Sequence, residues 1–144
     1  MRISDILRAK GAGVVTVAPT EQVRDLVALL AEHNVGALVV SSDGAAVEGI
    51  VSERDVTRGL ASGAAVLDTQ VSAIMTPDVQ TCTQDESIEH LMRLMTDRHI
   101  RHVPVLSEDG VLTGIVSIGD VVKSRIGQLE FEKEQLEGYI SSTG

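Results

Sequence analysis

Ser52 and Asp55 stand three residues apart directly after the apolar run Gly49-Ile50-Val51, and Ser117 and Asp120 repeat that arrangement after Gly114-Ile115-Val116. A serine at a helix N-cap with an acid at N3 satisfies amide donors that the helix itself leaves orphaned. A carboxylate fixed at such a helix start has a second chemical use. It can accept both hydroxyls of a ribose cis-diol, while the neighbouring serine hydroxyl takes a further bond. An isolated Ser-x-x-Asp is ordinarily the cap and nothing more.

The elements that must position these groups are themselves duplicated. Gly49-Ile50-Val51-Ser52-Glu53-Arg54-Asp55-Val56 returns 65 residues later as Gly114-Ile115-Val116-Ser117-Ile118-Gly119-Asp120-Val121. The same offset pairs Thr16 with Thr81, Glu21 with Glu86, Leu26 and Leu29 with Leu91 and Leu94, and Val40 with Val105. Two copies of one unit therefore occupy residues 14–61 and 79–126. Upstream, Ser4-Asp5-Ile6-Leu7 resembles Ser72-Ala73-Ile74-Met75 at an offset of 68, so the first copy carries about three extra residues in its lead-in loop. Each copy reads strand, helix, strand, strand, helix. Val14 to Val17 is β-rich, and Val23, Leu26, Val27 and Leu30 fall on one helical face, as do Ile88, Leu91, Met92 and Met95. Hairpins follow at Ala37–Val40 with Val47–Val51 and at Val103–Leu106 with Val111–Val116, around Ser42-Asp43-Gly44 and Glu108-Asp109-Gly110. The fold class is α/β (α+β), with repeat 1 and its lead-in over 1–66, repeat 2 over 67–126 and a C-terminal amphipathic helix over 127–144. One unit is too small to bury both faces of its sheet, so the two copies pack about a pseudo-twofold axis and enclose clefts between equivalent loops.

Composition narrows the function classes. The chain has 144 residues, a formal net charge of −9, 43% hydrophobic residues, no Trp, one Phe and one Tyr. Too few rings are present to stack single-stranded bases, and the negative balance repels polyphosphate backbones, which argues against nucleic acid as a partner. No apolar run reaches the roughly 18–20 residues of a membrane span, and the acid at Asp5 interrupts what a signal peptide would need to be apolar. One cysteine, Cys82, cannot form an internal disulfide, so a cytoplasmic protein is expected.

With the two Gly-hydrophobic-hydrophobic-Ser-x-x-Asp motifs in constant register, and with Met75-Thr76-Pro77 and His99-Ile100-Arg101-His102-Val103-Pro104-Val105 beside them, the chain resembles the paired CBS-domain (Bateman) module over nearly all of residues 1–126. The resemblance implies a sensor or regulator that binds an adenosine-containing ligand, such as AMP, ADP, ATP, NAD(H) or S-adenosylmethionine, between its repeats. It implies one site at Ser52, Arg54 and Asp55, facing Val79 to Thr81 and His99 to His102, with adenine among Ile50, Val79 and Ile100. The second would lie at Ser117 and Asp120 with Val14, Thr16, Val35 and Ile115. His99 and Arg101 would flank the phosphate of the first, with Arg54, Arg58 and Arg98 close. Asn34, Val35 and Gly36 replace His99, Ile100 and Arg101 at the second, offering no cation beyond a partial contribution from Lys123, so that site should be weaker or favour a less charged adenosyl group.

Other motifs carry less. Lys10-Gly11-Ala12-Gly13 lacks the third glycine of a dinucleotide fingerprint and precedes a strand, so it reads as a loop. Gly114-x-x-Ser117-x-Gly119 has one residue too many for a nucleophile elbow. His99-x-x-His102 runs from a helix end into a strand, where the side chains diverge, and no further ligand completes a metal shell. His33 and His90 read as surface residues, and Cys82 as a small core or half-exposed residue on the opening strand of the second copy. Leu129, Leu136, Tyr139 and Ile140 form a stripe on the C-terminal helix that can cover the module itself or a second copy, as a homodimer. Without a nucleophile, base and metal set an enzyme is not expected. Any output must pass to a separate effector protein, and a structural interaction protein with vestigial clefts is the rival reading.

Overall fold

The computed structural model describes residues 1–11 and 13–143, so Ala12 of the lead-in loop lies outside the described residues. The chain forms α1 (Ile3–Lys10), β1 (Thr16–Val17), α2 (Val23–His33), β2 (Ala37–Val40), β3 (Gly49–Ser52) and α3 (Glu53–Leu60). Two short 3-10 turns lead to β4 (Cys82–Thr83), α4 (Ile88–Arg98), β5 (His102–Leu106), β6 (Leu112–Ser117) and α5 (Ile118–Thr143). The first strand of each copy is shorter than its β-rich run, with Val14 and Val15 left outside β1.

Two three-stranded sheets result, ordered β1-β2-β3 and β4-β5-β6. In each, the first two strands are parallel and the hairpin is antiparallel. The duplication is visible in the register. Val17 pairs Val40 as Cys82 pairs Val105, Ala37 pairs Ser52 as His102 pairs Ser117, and Val40 pairs Gly49 as Val105 pairs Gly114. Both first helices end on a residue in the left-handed region, Asn34 at φ 52° and His99 at φ 55°.

The lead-in segments cross over. Ile3 and Ile6 of α1 are buried in the core of the second repeat with Cys82, Ile88, Leu91, Met95, Val103 and Val116. Val71 sits in the core of the first with Val17, Val23, Leu26, Leu38 and Val51, and Ile74 and Met75 pack on that core. The same backbone bonds fasten both. Ile3 N–H donates to Glu86 O at 3.0 Å and Ser4 N–H to Gln84 O at 2.9 Å, while Val71 N–H donates to Glu21 O at 2.8 Å and Ser72 N–H to Pro19 O at 3.1 Å. Position in the chain and position in space therefore part company at each lead-in: the residues preceding one repeat complete the other.

The C-terminal helix is not a separate element. It continues the last helix of the second repeat without a break from Ile118 to Thr143. Leu129, Leu136, Tyr139 and Ile140 are 48 to 68% exposed, so the helix does not fold back over the module along that stripe.

The motif glycines are where each lead-in segment lies on a sheet. A Cβ on Gly49 would stand 2.7 Å from Met75 Sδ and 3.0 Å from the Thr76 carbonyl, and one on Gly114 would stand 2.6 Å from Leu7 Cδ2. A leucine methyl can rotate away; a backbone carbonyl paired with Ile50 cannot. Gly49→Ala is therefore expected to destabilise by about 1–3 kcal/mol, the usual overpacking range, and Gly114→Ala by less. Urea denaturation of the two variants beside the parent chain measures the order.

Candidate functional site

Asp55 is fixed by the cap of α3. The Ser52 amide donates to Asp55 Oδ2 at 2.8 Å, the Ser52 hydroxyl donates to the same oxygen at 3.1 Å, and the Asp55 amide donates back to Ser52 Oγ at 3.4 Å. The capping box is thus fully formed, and it uses one carboxylate oxygen. Oδ1 takes no hydrogen bond among the described residues. An acceptor is left over.

A cavity of about 360 Å³ lies beside it, within the roughly 300–1,000 Å³ range of small-molecule sites. Three stretches meet there. Ile50, Ser52, Arg54 and Asp55 come from the β3–α3 junction, and Val79 arrives on the extended segment that Thr76 ties to Ile50 by two backbone bonds of 2.8 and 3.0 Å. His99, Ile100 and Arg101 come from the turn after α4, where the left-handed His99 redirects the chain into β5. Arg58 also lines the cavity; Thr81 and Arg98 do not.

Gly36, Ala37, Glu53, Thr76, Asp78, Gln80 and His102 complete the lining. Gly36 is the informative addition. By repeat position it is the counterpart of Arg101 and was expected at the other groove, yet the ideal Cβ position of Gly36 lies 3.5 Å from the His102 ring. The two post-helix turns meet at the seam between repeats, so a residue small enough to lack a side chain is shared by the first cavity. The offset of 65 residues would have paired Gly36 with Arg101, but not shown that the two face each other.

Three guanidiniums, Arg54, Arg58 and Arg101, line the cavity, and none makes an ion pair within 4.0 Å or a side-chain hydrogen bond among the described residues. Glu53, Asp55 and Asp78 lie on the same wall set. Cations held near carboxylates without pairing to them are available to an incoming anion.

The second carboxylate has a different environment. Ser117 N–H donates to Asp120 Oδ2 at 2.9 Å and Asp120 N–H donates to Ser117 Oγ at 3.2 Å, repeating the cap. The Lys10 ammonium also reaches Asp120 Oδ2 at 2.8 Å and the Ile115 carbonyl at 2.8 Å. Sequence reading assigned this side no cation beyond Lys123; the structure supplies Lys10, from a lead-in helix whose crossing was not legible. Burial pushes the Asp120 carboxyl upward, but the Lys10 ammonium and the Ser117 amide outweigh it and hold the group below the usual aspartate range. Val14, Thr16 and Val35 lie outside the first cavity, and Thr16 pairs with Val39 in the sheet.

Cys82 is buried, its thiol pushed up to about 12 by desolvation and by Glu86, so the thiolate is scarce at neutral pH. Among the described residues no group of three or more His, Cys, Asp or Glu side chains could hold a metal ion, and no helix is long and apolar enough to cross a membrane.

The CBS-domain family profile matches residues 3–62 and 71–127, each match holding one lead-in and the repeat that follows it in sequence. The chain belongs to the CBS-domain family. A CBS domain-containing protein of Arabidopsis thaliana, CBSX3, named as mitochondrial, is 37% identical over 147 residues, covering 96% of this chain and 71% of that protein. The crystal structure of the CBS-domain containing protein ATU1752 from Agrobacterium tumefaciens superposes with a TM-score of 0.82 at 44% identity, covering 87% of this chain and 99% of that one. The CBS domain pair of protein MJ0100, solved in complex with 5′-methylthioadenosine and S-adenosyl-L-methionine, gives a TM-score of 0.78 at 25% identity, covering 89% and 98%. The two CBS repeats of this chain thus share their fold with a pair that binds adenosyl compounds.

His102 lies at the seam between the CBS repeats. Burial holds its imidazole below its ordinary value, opposed by the charges of Asp120 and Glu53 and reinforced by Lys10 and Arg101. As pH falls through about 6.5 the unfolded chain takes up this proton first. Stability is therefore expected to fall from there until the lower folded value is reached, and His102→Gln should flatten that limb. Urea midpoints measured between pH 7.5 and 5 check the sign.

Proposed function

We propose that this CBS pair is a regulatory sensor whose Asp55 cavity binds a phosphate-bearing adenosine ligand, AMP, ADP, ATP or NAD(H). The observation that carries the reading is the meeting, in one cavity, of a cap-fixed carboxylate with an unused oxygen and three guanidiniums free of ion pairs. Asp55 accepts from the ribose hydroxyls, Ser52 adds a bond, and Ile50, Val79 and Ile100 offer aliphatic surface to the adenine. Arg101, with Arg54, Arg58 and His99, faces the phosphate. Thr81 lies beyond the lining and acts through the strand it precedes. S-adenosylmethionine, bound by the MJ0100 pair, is the alternative adenosyl ligand, but a sulfonium cation gains nothing from the guanidiniums.

The chain catalyses nothing in this reading. Ligand binding acts on an effector protein by favouring one arrangement of the repeats, as differential affinity requires. Neither nucleic acid nor membrane is a partner. A reducing compartment such as the cytoplasm suits the lone thiol of Cys82, and an organelle matrix would serve equally.

Calorimetric titration with AMP tests the site. Arg101→Ala and Asp55→Asn are each expected to weaken binding roughly 10- to 100-fold, the worth of one charge-assisted hydrogen bond, while Asp120→Ala stays within about threefold. Equal losses in all three would reject the assignment. Absence of any melting-temperature rise with AMP, ATP, NAD+, NADH or S-adenosylmethionine would leave the scaffold reading.

The homodimer is formed through α5. Val122, Ile126, Leu129 and Leu136 are 48 to 64% exposed and recur at the 4,3,7 spacing of a coiled-coil seam, with Lys133 at the intervening position. Lys123 and Arg125 precede Glu130, Glu132, Glu134 and Glu137, so an antiparallel second copy sets basic half against acidic half. Deleting residues 128–144 is expected to halve the mass seen by light scattering.

A further inference from the structure

At the seam between the repeats, the duplicated frame carries a titratable group on one side only. His102 opens β5 as Ala37 opens β2, each paired in its hairpin with the serine of the following cap, Ser117 or Ser52. Both residues line the cavity beside Asp55. One repeat therefore presents a methyl group where the other presents an imidazole, and that ring reaches the opposite post-helix turn, 3.5 Å from the ideal Cβ position of Gly36. The ring is partly buried, yet it makes no side-chain hydrogen bond and no ion pair within 4.0 Å among the described residues. No fully buried side-chain nitrogen among them lacks a partner, so the unpartnered ring nitrogens are accessible.

Its proton is contested. Burial opposes it most, and Lys10 at the end of α1 and the adjacent Arg101 oppose it too, while Asp120 of α5 and Glu53 of α3 favour it. The balance holds the imidazole below its ordinary value. Arg54, Arg58, His99, Asp55 and Asp78 line the same cavity. Neither acid that favours the proton comes within 4.0 Å of the ring, so no group of the chain itself fixes the imidazolium. An anion entering the cavity supplies the negative charge that is missing there.

We propose that His102 makes this cavity a joint sensor of protons and of an anionic nucleotide, each favouring the binding of the other. This rests on the reading of the Asp55 cavity as a nucleotide site. By linkage, whatever the ligand does for the proton, the proton does for the ligand. Negative ligand charge raises the imidazole from its depressed value. Affinity is therefore lowest while the ring is neutral, and it rises as pH falls through the ligand-loaded value until the ligand-free value is passed. A difference of one unit between the two corresponds to about tenfold in affinity. The stability that acid removes from the empty protein is correspondingly better kept by the loaded one.

Isothermal titration calorimetry between pH 7.5 and 5.5 tests the coupling with adenosine 5′-sulfate. The phosphate of AMP itself takes up a proton at about pH 6, whereas a sulfate ester keeps one negative charge throughout. Affinity of the parent chain is expected to rise about 3- to 10-fold over this range, with proton uptake read from the dependence of the heat on the buffer's ionisation enthalpy. His102→Gln should bind with a flat pH dependence and no uptake. His102→Ala, which reproduces Ala37 of the first repeat, replaces it if melting curves show that the glutamine variant does not fold. His99→Gln should keep the uptake, and adenosine, without the anion, should bind the parent equally at both ends of the range. A parent that binds the sulfate with neither pH dependence nor proton uptake overturns the coupling and leaves the Asp55 reading standing. Uptake that survives in the His102 variant, or that is lost only with His99, overturns it by assigning the proton elsewhere. A parent that binds neither compound at any pH refutes the nucleotide reading and the coupling with it.

Discussion

Each three-stranded sheet is closed by a segment that reaches it from the other half of the chain, and the cavity beside Asp55 is a consequence of that exchange. A sheet this small buries too little apolar surface alone, so Ile3 and Ile6 complete the second core, and Val71, Ile74 and Met75 complete the first. The contact is closest to requiring glycine at position 49, where the Thr76 carbonyl stands against the Cβ position, and is more forgiving at 114, where only the Leu7 side chain does. Once Met75 is seated there, the residues after it must pass the end of the sheet. Val79 and Gln80 are thereby delivered to the cavity that Asp55 also lines.

Near-identical backbones then acquire different chemistry through a few side chains. Both helix starts form the same serine–aspartate cap, with amide bonds of 2.8 and 2.9 Å to the carboxylate. Oδ1 of each aspartate takes no hydrogen bond among the described residues; Asp55 stands beside a cavity lined by three guanidiniums, whereas Asp120 Oδ2 also meets the Lys10 ammonium. On a chain of net charge −9, the cavity wall carries as many guanidiniums, Arg54, Arg58 and Arg101, as carboxylates, Glu53, Asp55 and Asp78, and the guanidiniums make no ion pair within 4.0 Å among the described residues.

The last helix extends the module rather than standing apart from it. Because α5 begins with the Ser117–Asp120 cap and continues unbroken to Thr143, the second cap and the exposed apolar residues of that helix lie on one continuous element. A change at Asp120 and a change at those residues are therefore changes at two points of the same helix. The first repeat, whose α3 ends at Leu60, has no such extension.

The duplicated unit, both hairpins and both helix caps were legible from residue order. Periodicity, turn residues and Ser-x-x-Asp spacing act over a few residues, and the resemblance to a known pair supplied the cross-repeat facing. What residue order could not disclose is which side chains far apart become neighbours. Lys10 finds Asp120 across 110 positions, and Gly36 is shared with His102 at the seam. Those partnerships depend on the crossing of the lead-in segments, and the crossing is decided by which core each apolar segment fills, a packing choice that no local pattern encodes.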